Sequence, residues 1–135
     1  MMLSEMMQEA LEQGIRQVRA AGSRLHPFLV VEPAKILFLF DPSGQSEPME
    51  MALCAIREHA PACERVVLVL NTTLTARDGR KSDAVVAMGS ERGQETGPMW
   101  AQIYRPGSWF RRFRVEGERE TIGEVKNLIR EALAA

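Results

Sequence analysis

Residues 65–88 read RVVLVLNTTLTARDGRKSDAVVAM, and this stretch decides the fold class. From Arg65 to Ala76 nearly every position is apolar or β-branched, the composition of one long strand. Asp78-Gly79 then interrupts the run as a strong hairpin signal, because a tight turn takes positive φ at its central positions. Ser82 to Met88 returns beside the first strand. Strands joined this way are antiparallel, which excludes an alternating β-α-β sheet.

Working outward toward the C-terminus, Met99–Tyr104 and Trp109–Val115 form the next predicted strand pair. Arg105-Pro106-Gly107-Ser108 places Pro and Gly for a type II turn between them. Ser90 to Gly97 is the one extended polar loop. Thr121 with Glu124 three residues later has the capping-box spacing, so a last helix is expected from Thr121, burying Ile122, Val125, Leu128, Ile129 and Leu133. Toward the N-terminus, Phe28–Val31 and Ile36–Phe40 flank the polar break Glu32-Pro33-Ala34-Lys35, a hairpin pattern. A helix is expected from Ser46, a good cap with Pro48 in the first turn, to Pro61, burying Met49, Ala52, Leu53 and Ile56. The first helix spans about Ser4 to Ala20, with Met7, Leu11, Ile15 and Val18 on one stripe and Gly22 past its end.

The predicted order is therefore α-β-β-α-β-β-β-β-α, an α+β fold with an antiparallel sheet of five or six strands and three helices. In element order it is similar to the small Roadblock, longin and profilin-like α+β domains. That resemblance implies a module that dimerises or acts as an adaptor. The pattern leaves open which sheet face the helices cover, since a one-residue shift of register exchanges the faces.

The chain has 135 residues, 45% hydrophobic and 26% charged, with 17 Lys and Arg against 18 Asp and Glu. This is the balance of one globular domain, 1–135, and excludes disordered and fibrous classes. The longest apolar runs, Val66–Leu70 and Ile36–Phe40, are far short of the roughly 20 residues that cross a bilayer as a helix. With no charged-then-apolar leader, a cytoplasmic protein is expected. Cys54 and Cys63 are too few for a disulfide framework or a structural zinc site and read as reduced thiols.

Catalytic signals are sparse. No GxxxxGK[ST], GxGxxG, GxSxG or HExxH pattern occurs, and His26 and His59 cannot build a multi-histidine metal centre. No metal, cofactor or catalytic residue is assigned, and the reading leans away from an enzyme. Asp41 follows the apolar Ile36–Phe40 run, where a carboxylate serves as ligand or acid, although Asp41-Pro42-Ser43-Gly44 is equally a turn. Asp83 interrupts an apolar strand, which an edge position would also explain. His26, before Pro27 at a strand entry, is a candidate base. His59 fits the last turn of its helix through the helix dipole. The methionines Met1, Met2, Met6 and Met7 suit core filling or an adaptable surface.

Arg105 to Arg114 is the most unusual segment, with four arginines and three large aromatics in ten residues. Read as a strand, it carries Phe110, Arg112 and Arg114 on one face and Trp109, Arg111, Phe113 and Val115 on the other. Residues 77–114 hold eight Lys and Arg against four Asp and Glu, while the remainder holds nine against fourteen.

Three functions follow, in this order. The first is a non-enzymatic module that self-associates, as a homodimer, or binds another protein through Trp109, Phe110, Arg111, Arg112, Phe113 and Arg114. The second is a small-molecule site formed by Asp41, Asp83, Tyr104 and Arg105, near the Glu91–Gly97 loop. The third is nucleic-acid binding through Arg105, Arg111, Arg112 and Arg114, with Trp109 as stacking platform. Against the third stand a pI near 6.1 and the lack of a nucleic-acid-binding motif.

Overall fold

A computed structural model describes residues 2–21, 25–32, 35–39, 47–107 and 110–134. Helix α1 (Leu3–Ala21) leads into strands β1 (Phe28–Glu32) and β2 (Lys35–Phe38), followed by α2 (Pro48–His59). Strands β3 (Arg65–Thr75), β4 (Lys81–Glu91), β5 (Thr96–Arg105) and β6 (Arg114–Lys126) form a meander, and α3 (Leu128–Ala134) closes the chain. The fold class and element order are those read from the sequence. The six strands lie in the order β2-β1-β3-β4-β5-β6, every neighbouring pair antiparallel. Both cysteines are free, Cys63 buried and Cys54 exposed.

Helices cover both faces of the sheet, which accounts for the unbroken apolar run in β3. Val66, Val67, Leu68 and Val69 are all fully buried. Val67 and Val69 meet α1 together with Met7, Leu11 and Val18 of the expected stripe, while Val66 and Leu68 meet Ala52 and Ile56 of α2 and Leu128 and Ile129 of α3. Gly14 permits the close approach of α1: a Cβ there would lie 2.7 Å from Val85 Cγ1 and 2.9 Å from Val69 Cγ1. Met6 and Met7 fill this core, whereas Met2 is exposed.

The β3–β4 turn is stabilised by local polar bonds. Arg80 N donates to Asp78 Oδ1 at 2.9 Å, and Ala76 N donates to the Arg80 carbonyl at 2.9 Å. Only Gly79 takes positive φ, so Asp78 does not share the mirror-image conformation expected of a two-residue turn.

Four boundaries differ from the sequence reading. Thr121 and Glu124 do not cap a helix: they pair with Trp100 and Pro98 as part of β6. The helix starts at Leu128 instead, where Asn127 Oδ1 accepts from Arg130 N at 3.1 Å and Ser90 Oγ accepts from Leu128 N at 2.9 Å. Irregularities in the β5–β6 register explain the false signal, because bulges give a strand apolar spacings that mimic a helical period. The long loop expected over Ser90–Gly97 shrinks to 92–95, since β4 and β5 extend into it. Strand β6 begins at Arg114, so residues 110–113 form a turn and an isolated bridge. The alternation expected over Trp109–Val115 therefore does not exist. At α2 the cap position belongs to Glu47, without a side-chain bond. The other expected cap residues, Ser46 and Gly22, lie outside the described residues, as does Phe40.

Candidate functional site

Antiparallel pairing brings the N-termini of β4 and β6 and the C-terminus of β5 to one end of the sheet. Asp83 lies directly opposite Tyr104, Tyr104 opposite Val115, and Arg105 opposite Arg114. Residues 110–113 cross this end before β6 begins. The result is a cleft of about 700 Å³ whose wall includes Asp83, Tyr104 and Arg105 from the strands and Arg111, Arg112 and Phe113 from the crossing segment. Lys81, Arg114 and Glu116 complete its charged lining. Five cations thus face two carboxylates.

These cations are not equivalent. Arg105 and Arg114 both donate to Glu116 Oε1, the latter at 3.0 Å. The Arg105 bond is the main reason that the Glu116 carboxyl is held below its ordinary pKa, with Arg114 assisting and partial desolvation opposing. Lys81 and Arg112 make no ion pair or hydrogen bond among the described residues, and Arg111 rests only against the Phe110 ring, 5.4 Å from its centroid. Three cations therefore line the cleft without an ion pair among the described residues.

Tyr104 forms the floor. It is 2% exposed and stacks on Phe113 with ring centroids 5.4 Å apart. Burial, the largest cause, raises its pKa; a hydrogen bond with the Asn71 side chain partly offsets this, and the Asp83 charge adds to the rise. A phenol so placed stays protonated at neutral pH. It is no general base. Arg19 of α1 lies over Phe113, 5.1 Å from the ring centroid, and fixes the aromatic pair from the helix side.

Of the four ligand residues expected from the sequence, the structure brings together Asp83, Tyr104 and Arg105; Asp41 lies outside the described residues. Within the expected interface set, Arg111, Arg112, Phe113 and Arg114 line the same cleft, Phe110 stands beside it 63% exposed, and Trp109 lies outside the described residues. The Glu91–Gly97 segment does not belong to the site. It sits at the other end of β5 from Arg105, so a pocket shared by the two is ruled out by strand length. His26 is exposed and does not line the cleft, and His59 is exposed at the end of α2. Lys81 and Glu116 were missed from the sequence; the strand register that aligns Lys81 with the end of β5 was not available there. No group of three or more metal-ligating side chains occurs among the described residues. A bond to Glu58 raises the Cys54 pKa, and burial raises that of Cys63.

No protein-family model, curated protein or solved structure matches the chain, so the likeness to Roadblock, longin and profilin-like domains rests on element order alone.

Proposed function

We propose that this chain is a non-enzymatic binding domain whose cleft at the β4–β5–β6 end receives an anionic group. The observation that carries this reading is the convergence, in one concavity, of Lys81, Arg111 and Arg112, none of which forms an ion pair among the described residues. Arg111 and Arg112 suit phosphate or carboxylate, because a guanidinium offers several fixed donors. Glu116 keeps Arg105 and Arg114 extended beside the opening, so the site is charged and shaped before the ligand arrives.

A thermal-shift series with inorganic phosphate, inorganic triphosphate and citrate tests this. A ligand at about 100 times its Kd adds roughly 2.7 kcal/mol, a rise of several degrees for a domain of this size. The rise should disappear in an Arg111→Glu, Arg112→Glu double variant. A flat series overturns the reading.

Self-association is supported by a different place than the sequence suggested. Strand β2 is a sheet edge, and Ile36 and Phe38 on it are 45% and 60% exposed beside a groove against α2. We propose this edge, rather than the Arg105–Arg114 segment, as the surface for a second copy. The opposite edge, β6, carries Glu116, Glu118, Arg119, Glu120 and Glu124 and is bulged, features that discourage pairing. A concentration-dependent sedimentation coefficient that Phe38→Lys abolishes is expected; monomeric behaviour at high concentration removes the idea.

A further inference from the structure

We infer that the ligand of this cleft is a small molecule carrying a primary ammonium as well as its anionic groups, the ammonium seated on Asp83 and the anion on Arg111 and Arg112. The inference rests on the anion-site reading above and names its ligand class. Its support is the one carboxylate that an anion site leaves unexplained. Of the two carboxylates in the lining, Glu116 is engaged by Arg105 and Arg114. Asp83 forms no ion pair or hydrogen bond among the described residues. An edge position would account for an acidic residue in an apolar strand, but β4 is an inner strand, flanked by β3 and β5. Asp83 is half-buried there, opposite Tyr104, whose phenol feels its charge. Lys81 shares its strand and face two residues away, roughly 7 Å, and does not pair with it. Neither does Arg19, which lies over the Phe113 ring.

The cleft therefore presents both signs of charge without joining them. Filling it removes water from Asp83, and an ionised carboxylate left unpaired in a desolvated space is strongly disfavoured. A ligand with negative groups alone incurs that penalty and adds like-charge repulsion; one that also brings an ammonium avoids both. Asp83 is thus a selector against plain anions that Arg111 and Arg112 would otherwise accept. The balance of charge narrows the class. Lys81, Arg111 and Arg112 supply three positive charges and Asp83 one negative, so the complement is one ammonium with two or more negative charges. Amino dicarboxylates and aminoalkyl phosphates have that composition, and differ in the anion that the two guanidinium groups receive. A cleft of about 700 Å³ has room for either.

The test is a titration of the full chain, followed by amide chemical shifts, with two matched pairs of probes: glutamate against glutarate, and phosphoethanolamine against ethyl phosphate. Within each pair the members differ only by the amine. A charge-assisted hydrogen bond to Asp83 should make the amine-bearing member of at least one pair roughly tenfold tighter. The shifts should fall at residues 81–83 and 111–113. The pair that discriminates tells whether carboxylate or phosphate is received. Asp83→Asn should abolish the preference and leave the amine-free member as tight or tighter. Asparagine has the same shape and the change breaks no ion pair, so an unchanged melting temperature verifies the fold; the comparison within each pair on the parent chain needs no variant. Several results overturn the inference. If triphosphate or citrate stabilises the protein but neither pair discriminates, the anion site survives and the ammonium seat does not. If the preference persists in Asp83→Asn, the amine is held elsewhere. If no probe binds and the phosphate, triphosphate and citrate series is flat, both readings fall.

Discussion

The two ends of the sheet use arginine in opposite ways. At the end formed by Glu32, Arg65 and Glu91, Arg65 donates to Glu91 Oε2 at 2.6 Å and to Glu32 Oε2 at 3.0 Å. Next to it, Arg92 donates to the carbonyls of Cys63 and Pro61 at 2.9 and 2.7 Å. Asn127 ties α3 to the same corner by donating to the Glu91 carbonyl at 2.6 Å. The guanidinia of Arg65 and Arg92 are both consumed by the fold. At the other end Lys81, Arg111 and Arg112 form no ion pair among the described residues, and the space they face is open. One residue type serves as a fastener where its acceptors come from the chain itself, and as a binding group where they do not. What separates the roles is partner supply, and position on the sheet decides it.

That contrast can be broken in several ways. The largest effect is expected at the fastened end from Gly97→Ala. A Cβ at Gly97 would lie 1.7 Å from the Gly89 carbonyl oxygen, a backbone atom that has little room to yield. The loss should reach the upper part of the roughly 1–3 kcal/mol range for overpacking, or exceed it, lowering Tm by on the order of 10 °C in a calorimetric scan. Asn127→Ala comes next. It removes the cap on α3 and the bond to Glu91, and should cost about 1–2 kcal/mol, with faster amide exchange confined to 128–134.

The open end should respond to pH more than to truncation. The folded state holds the Glu116 pKa below its unfolded value, so its stabilisation is complete above the ordinary carboxylate range and disappears as pH falls through the folded pKa. A Glu116→Gln variant should therefore be less stable than the parent at neutral pH and equal to it in acid. Unfolding of both proteins across that range checks the sign. Tyr104 acts in the other direction. Its raised pKa gives a stabilisation present below the ordinary phenol range and lost as pH climbs through it, and Tyr104→Phe should abolish that alkaline loss. The smallest change in stability is expected from Arg112→Glu, within about 0.5 kcal/mol, because nothing in the fold depends on that side chain. If it unfolds the protein instead, the two ends are not different in kind.

How far the site was legible follows from the same physics. Asp83 stood out because it interrupts an apolar strand, Tyr104 and Arg105 because they adjoin a turn, and antiparallel pairing across β4 and β5 put Asp83 opposite Tyr104. Lys81 carries no such mark, since a lysine after a turn looks like any solvated charge. The Thr121–Glu124 spacing misled for a related reason. A capping box is local and has no knowledge of β5, which recruits those residues into its ladder.

By itself, the sequence determined the fold class, the order of nine elements and the antiparallel pairing of β3 with β4. These follow from local chemistry: alternation, apolar runs, and the turn residues Asp78 and Gly79. Tertiary structure alone decided where β6 ends and α3 begins, that helices cover both faces, and that Arg111 and Arg112 at one end form no ion pair among the described residues. Those outcomes depend on which residues the register places opposite one another, and register is a property of strand pairs rather than of any one segment.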